Sequence, residues 1–194
     1  MKGWLWIGSV LVTAMLASGQ SALAQVTVEG KAFAARVTVE GKDLKLLGAG
    51  LREKWFFNVY AMGAYSESGN CDPKAIIDAD EVKYLRLEML RDVGAEKMST
   101  TIGESFKKAM PKDASADLST QRTTFMSYFK DECTKGTVIE FTYVPGIGTM
   151  LKQNGKTLGA PLAGPDFAKV LWRIYFAEDT CCESLKDGIL ATCK

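Results

Sequence analysis

The fold is decided by one stretch of the sequence, LLGAGLREKWFFNVYAMGAY, which starts at Leu46 and ends at Tyr65. A glycine-rich turn carrying Arg52 opens it. A long segment follows in which most odd-numbered positions, from Trp55 onwards, are apolar or aromatic. Alternation with a period of two is typical of a β-strand. Because the even-numbered positions mix polar and apolar residues, we predict a strand whose odd face enters the core and whose even face borders a ligand or is solvated.

The first residues have the pattern of a secretory signal peptide. Lys2 gives a positive start, residues 4–17 form an apolar run, and Ser-Ala-Leu-Ala at 21–24 resembles an A-x-A cleavage site. The run is shorter than the roughly 20 residues that a membrane span needs. We therefore predict a signal peptide at 1–24, no membrane span after its cleavage, and a secreted, periplasmic protein. Residues 25–194 are long enough for one domain with a substantial core.

Charge and composition exclude several classes of function. The chain has 24 basic and 23 acidic residues and no histidine. Nucleic acid is not an expected partner, since no basic cluster in the sequence could follow a phosphate backbone or an anionic membrane. The absence of histidine excludes Ser-His and Cys-His catalytic pairs, histidine-based zinc sites and histidine-ligated haem.

Five cysteines follow the predicted cleavage site and would enter an oxidising compartment, where disulfides form. Because five is an odd number, at least one stays unpaired. We expect one of Cys181 and Cys182 to bond to Cys193, since adjacent cysteines rarely bond to each other, and Cys71 to bond to Cys133. A metal site is less favoured, because the sequence has neither histidine nor a C-x-x-C spacing.

The rest of the chain predicts strands and helices in blocks. Val-Thr-Val-Glu-Gly-Lys occurs at 26–31 and again at 37–42, and it indicates short strands with tight turns. Strand patterns recur at 82–93 and between 137 and 160, and the latter series contains the hairpin signal Asn154-Gly155. Helical periodicity marks 95–110, 117–129 and the segment after Pro165. Such blocks predict an α+β domain with helices on one face of an antiparallel sheet.

Several short motifs, in this order and spacing, resemble the chalcone isomerase-like family. They are Gly-Ala-Gly-Leu-Arg at 48–52, Val-Tyr-Ala-Met-Gly-Ala-Tyr at 59–65, Leu-Arg-Asp-Val at 90–93, Tyr-Val-Pro-Gly-Ile-Gly-Thr at 143–149 and Asn-Gly-Lys at 154–156. The resemblance implies an open-faced β-sandwich in which a ligand cleft lies between a large antiparallel sheet and helices. The family contains isomerases, which cyclise a chalcone to a flavanone, and noncatalytic members that hold fatty acids.

The resemblance also implies site residues. Arg52 matches an arginine that contacts the substrate in the isomerases, and Tyr60 stands at the position of a catalytic-site threonine. An arginine with a tyrosine is similar to the carboxylate-binding pair of the fatty-acid-binding members, and a guanidinium can hold a carboxylate in bidentate fashion. Two further polar residues of the isomerases, a tyrosine and an asparagine, fall near Met98 and Ser105, and neither is present.

We therefore predict a noncatalytic domain that binds a fatty acid or a similar apolar carboxylate and has no catalytic residue and no cofactor. The alternative is an intramolecular lyase that isomerises a chalcone-like substrate. A haem protein ranks third, with Cys181 or Cys182 as axial ligand.

The spacing of Arg52 and Tyr60 sets a geometric condition. A continuous strand would separate their Cα atoms by roughly 27 Å. A shared carboxylate therefore requires a tight turn, which we place at Glu53-Lys54; otherwise Arg91 supplies the charge. The alternative for both arginines is a surface ion pair with Glu53 or Asp92.

Overall fold

The computed structural model of the protein describes residues 25–180 and 182–193. The predicted signal peptide and Cys181 lie outside the described residues. The strands are β1 (Gln25–Val28), β2 (Lys31–Ala34), β3 (Arg36–Val39), β4 (Lys42–Lys54), β5 (Phe57–Ser66), β6 (Lys83–Met89), β7 (Val138–Val144), β8 (Gly148–Gln153) and β9 (Lys156–Leu162). The helices are α1 (Pro73–Asp78), α2 (Ala95–Ala109), α3 (Ala116–Met126), α4 (Pro165–Phe176) and α5 (Glu183–Ala191).

One large antiparallel sheet organises these elements. Strands β3 to β9 form seven strands in which neighbours along the chain are neighbours in the sheet. The main core lies between this sheet and the helices. It joins sheet residues such as Leu85 and Phe141 to Phe106 of α2, Phe125 of α3 and Trp172 of α4. The predicted α+β class, an open-faced β-sandwich with helices on one face of an antiparallel sheet, is confirmed.

The repeated Glu-Gly pairs form tight turns, as predicted. Glu29 and Gly30 have φ values of 49° and 73°, and Glu40 and Gly41 have values of 48° and 75°. Two consecutive residues with positive φ are typical of type I′ hairpin turns, whose twist matches that of the flanking strands. The first turn joins β1 to β2 and the second joins β3 to β4.

The β1–β2 hairpin covers the sheet face opposite the helices. Phe33 of β2 packs with Ala49 and Ala61, while Met62 and Ala64 of β5 lie in the main core. The middle of β5 is therefore buried on both faces. The prediction that only its odd-numbered face enters the core is wrong, because the hairpin covers one face and the helices cover the other.

Helix α5 packs directly on the backbone of β4. A Cβ atom at Gly48 would lie 1.9 Å from the carbonyl oxygen of Ile189, and one at Gly50 would lie 2.4 Å from that of Leu185. On the helix side, a Cβ atom at Gly188 would lie 3.1 Å from the Cα atom of Gly50. The Gly-Ala-Gly motif is thus a close helix-to-strand contact that side chains would prevent.

The opening stretch is a hairpin and not one strand. Strands β4 and β5 pair in antiparallel fashion, and the chain turns at Trp55 and Phe56, two residues later than the predicted turn at Glu53-Lys54. Trp55 is 85% exposed and Phe57 is 57% exposed, so neither belongs to the core. The prediction failed because aromatic residues favour strands, and this turn contains no glycine, proline or asparagine.

The disulfide differs from the predicted pairing. Cys71 bonds to Cys193, with 5.8 Å between their Cα atoms, and joins the segment before α1 to the end of α5. The predicted bond between Cys71 and Cys133 is wrong, since Cys133 is a buried free thiol. The predicted bond from Cys193 to Cys181 or Cys182 is also wrong. The partners lie 122 residues apart, and no local pattern indicates such a contact.

Candidate functional site

A cavity of about 600 Å³ lies between the sheet and helices α2 and α4. Its size falls within the range of small-molecule sites, about 300–1,000 Å³. Leu87, Ile139 and Phe141 form its floor on the sheet. Alternate residues of a strand point to the same face of the sheet, and Ile139 and Phe141 are two positions apart on β7. Together with Leu87 of β6 they present an apolar wall to the cavity.

Two helices supply the opposite wall through residues at helical spacing. Helix α2 contributes Met98, Thr101, Ile102 and Ser105, and α4 contributes Leu171, Ile174 and Tyr175. Positions separated by three and four residues share one face of a helix. The inner part of the cavity is therefore mostly apolar, with a few hydroxyl groups from α2 and α4.

The β4–β5 hairpin brings Arg52 and Tyr60 together at this cavity. The two residues are direct partners in the antiparallel register, and both line the cavity. Directly opposed residues in such a pair have Cβ atoms about 4.5–5.5 Å apart, far closer than a continuous strand allows. The Nη1 atom of Arg52 donates a hydrogen bond of 2.6 Å to the carbonyl of Glu53. A guanidinium has five N–H donors, so most of them stay available.

Arg91 lines the cavity from a segment just after β6 that backbone hydrogen bonds hold on both sides. The Leu90 N–H donates to Val59 O at 2.9 Å, and Val93 and Cys133 exchange two backbone hydrogen bonds of 2.8 and 3.0 Å. The guanidinium carbon of Arg91 lies 4.5 Å from the centre of the Phe57 ring. This cation–π contact stabilises the guanidinium beside the ring and uses none of its N–H donors in an ion pair with a described residue.

The charged side chains of the cavity lining belong to residues that are exposed or half-buried. Arg52, Lys54, Arg91 and Lys97 line the cavity together with one acidic residue, Asp92, which gives the lining a net charge of +3, against +1 for the whole chain. No basic residue of this lining forms an ion pair within the described residues. The surface ion pairs considered for Arg52 and Arg91 are thus not present, and the carboxylate of Asp92 accepts a hydrogen bond from the Lys135 N–H instead.

Comparison with known proteins identifies the family. The chalcone isomerase-like family model matches residues 25–191. The chain belongs to the chalcone isomerase-like family. A fatty-acid binding protein of Arabidopsis thaliana, solved as a crystal structure, has the same fold with a TM-score of 0.72. The two sequences are 19% identical, and the match covers 86% of this chain and 96% of that chain. No curated protein matches the sequence.

Helix α2 of this chalcone isomerase-like domain places Met98 and Ser105 in the cavity lining. These positions present a thioether and a small hydroxyl to the cavity, and α2 contains no tyrosine and no asparagine.

Lys54, Lys97 and the side chains at the hairpin tip were not predicted from the sequence. The two lysines lie 43 positions apart and belong to different elements. A scan for consecutive basic residues therefore misses them, and only the folded chain assembles them at one opening. No helix in the described part of the chain has the length and apolar character that crossing a bilayer requires.

Proposed function

We propose that this chalcone isomerase-like domain binds a fatty acid or a similar apolar carboxylate without chemical conversion. In this proposal the alkyl chain lies between the sheet and helices α2 and α4. The carboxylate lies at Arg52 and Tyr60, with Arg91 as a further cation of the cavity lining. The observation that carries the proposal is the pairing of Arg52 with Tyr60 on adjacent strands at the charged end of an otherwise apolar cavity.

The chemistry of the two ends supports an amphipathic ligand. Burying apolar groups of the ligand favours binding by about 25 cal/mol per Å² of surface removed from water. A carboxylate would lose water on entry, so it needs charged donors to replace that hydration. Arg52 is half-buried and its side chain forms no ion pair within the described residues, so it can supply them without breaking an existing pair. The name of the Arabidopsis structure, a fatty-acid binding protein, agrees with this class of ligand.

We further propose that binding takes place outside the cytoplasm, in the periplasm. The sequence pattern of residues 1–24 and the disulfide between Cys71 and Cys193 both support an oxidising compartment.

The test compares a fatty acid with the alcohol of the same chain length, by calorimetry on wild type and Arg52→Ala. Hydrogen bonds to charged groups contribute about 1.5–3 kcal/mol, so the variant should bind the acid about 10- to 100-fold more weakly. The alcohol lacks the charge, so its affinity should be similar in both proteins. Arg36→Ala, on edge strand β3 outside the cavity, is the matched control.

Two results would overturn the proposal. If Arg52→Ala left the affinity for the acid unchanged, the head-group assignment would be wrong. If native mass spectrometry and solvent extraction found no lipid and no added fatty acid bound, while the protein cyclised a chalcone in a reaction that Arg52→Ala abolished, the domain would be an enzyme.

A further inference from the structure

The tip of the β4–β5 hairpin exposes large aromatic side chains to solvent. Trp55, Phe56 and Phe57 are consecutive in the chain, and they are 85%, 97% and 57% exposed. Apart from these three, the only large apolar side chain of comparable exposure among the described residues is Ile147, at 50%. Single exposed apolar residues are common on proteins, but a contiguous group of three aromatic residues marks an interaction surface.

The backbone at the tip is also unusual. Trp55 has a φ of 63°, in the left-handed region that bulky residues rarely adopt. Of the two turn residues only Trp55 has a positive φ, and glycine is the residue that favours this conformation at the first position of a two-residue hairpin turn. An aromatic pair at this turn is therefore costly both in backbone conformation and in exposed apolar surface. Such local costs are typical of functional positions.

Basic residues surround the aromatic tip at the opening of the cavity. Lys54 precedes the turn, the guanidinium of Arg91 lies on the Phe57 ring, and Lys97 faces the same opening from α2. We call these basic residues the basic rim of the cavity. Two acidic residues, Glu53 and Asp92, lie beside them in the chain, and the Asp92 carboxylate accepts a hydrogen bond from the Lys135 N–H. The rim is therefore positively charged overall. Phe56, at the turn, is the most exposed of the three aromatic residues.

We propose that the hairpin tip docks the protein on the surface of an anionic bilayer, with Trp55 and Phe56 in the interfacial layer and the basic rim on the lipid head groups. Tryptophan is favoured at membrane interfaces, and clustered lysine and arginine side chains are attracted to anionic lipids. The tip offers three projecting side chains, too small a surface for a specific protein interface of about 1,200–2,000 Å². A bilayer needs no matching surface of fixed shape.

Docking in this orientation places the cavity opening against the membrane. Trp55 and Phe57 line the cavity as well as forming the tip, so an amphipathic molecule could pass between bilayer and cavity without crossing bulk water. This delivery role rests on the proposed function. The docking itself does not, because it depends only on the exposed aromatic residues and the charges around them.

The test is co-sedimentation with vesicles, using protein recovered from the periplasm of a bacterial host with its N-terminus checked by mass spectrometry. Phosphatidylcholine vesicles with and without phosphatidylglycerol are the two surfaces. Wild type should bind the anionic vesicles more tightly. Phe56→Ser should weaken that binding about tenfold through the lost burial of one aromatic side chain. Trp55→Gly combined with Phe56→Ser puts glycine at the turn position with positive φ, and it should abolish binding without unfolding the hairpin.

Ile147→Ser is the matched control. Ile147 lies in the β7–β8 turn at the opposite end of the sheet, since β5 and β7 are both antiparallel to β6 between them. This variant should bind vesicles as wild type does. Fatty-acid affinity in solution should be unchanged in Phe56→Ser, because Phe56 does not line the cavity.

Three results would overturn the docking proposal. They are absence of wild-type binding to anionic vesicles, equal binding by wild type and Phe56→Ser, and a dimer that forms without vesicles and dissociates in Phe56→Ser, which would assign the tip to a second copy of the chain. Failure of vesicle binding with intact fatty-acid binding would refute docking alone. Vesicle binding without fatty-acid binding would refute the proposed function alone.

Discussion

Lys83 is a buried cation whose environment predicts an unusual pH dependence of stability. Its side chain is 1% exposed. Its Nζ atom donates hydrogen bonds of 3.0 Å to the carbonyls of Ile76 and Ile77 at the end of α1, and it lies 5.0 Å from the Trp172 ring centre. Burial lowers the pKa of Lys83 from 10.5 to about 8, although nearby acidic side chains act in the opposite direction. These contacts only partly replace the lost hydration of the ammonium group.

The sign of the effect follows from proton binding. Between pH 8 and about 10.5 the unfolded chain keeps its proton on Lys83 while the folded protein has lost it. Stability rises with pH wherever the unfolded state binds more protons. One pKa unit corresponds to 1.36 kcal/mol, so the difference contributes an increase of about 2–3 kcal/mol in the free energy of unfolding between pH 7 and pH 10.

Buried tyrosines limit the window at higher pH. Burial raises the pKa of Tyr65 to about 12, and burial also raises the pKa values of Tyr84 and Tyr143 above the ordinary value of 10. As the pH approaches 10 the unfolded chain therefore loses protons from these three tyrosines before the folded protein does, which lowers stability. We expect a maximum of stability between about pH 9 and 10.

Urea unfolding at pH 7, 8, 9 and 10, followed by circular dichroism, measures this curve. Lys83→Met keeps a long side chain of similar shape but has no titrating group. It should lack the rise above pH 8, whatever its absolute stability. Equal slopes for wild type and Lys83→Met, or no rise in wild type, would refute the assignment to Lys83.

Two other predictions concern packing and the disulfide. Gly50→Ala should lower the free energy of unfolding by about 1–3 kcal/mol, because its Cβ atom would lie 2.4 Å from the Leu185 carbonyl and displace α5. Gly103→Ala is the control: its Cβ atom would lie 3.6 Å from the nearest atom, Cε of Met126, so it should stabilise α2 by about 0.5–1 kcal/mol. Equal stability of both variants in urea unfolding would contradict the packing argument. Replacing both Cys71 and Cys193 by serine should lower the free energy of unfolding by about 2–5 kcal/mol. The prediction is contradicted if adding reductant to the wild-type protein leaves its urea midpoint unchanged.

The sequence predicts best those features that depend on local chemistry. Helix α1 begins at a local signal of this kind: Pro73 is its first residue, and the carboxylate of Asp72 accepts a hydrogen bond of 2.7 Å from the Ala75 N–H. Turns containing Glu-Gly or Asn-Gly were placed correctly because those residues favour the required dihedral angles. The disulfide was predicted wrongly, because Cys71 and Cys193 are far apart in the sequence and only the tertiary packing of α5 on β4 brings them together.

The predicted site residues came from the resemblance and from spacing. The resemblance implied Arg52 and Tyr60, and the spacing argument added Arg91 as another source of positive charge. All three line the cavity, and their contact with a ligand stays a prediction. The position of the hairpin turn could not be predicted, because the aromatic residues that form it have strand preference and the cost of exposing them appears only in the folded structure. Lys54 and Lys97 were missed because they come from separate elements.

The turn and the Arg52–Tyr60 pair are connected through the register of the hairpin. With the turn at Trp55-Phe56, Lys54 pairs with Phe57, and a bulge after Arg52 brings Tyr60 opposite it. A two-residue turn at Glu53-Lys54 would instead place Arg52 opposite Trp55. A slip of one residue turns a side chain to the other face of the sheet. The turn that exposes the aromatic tip therefore also fixes the register that sets Arg52 beside Tyr60, so the carboxylate site and the docking tip that we propose depend on a single local conformation.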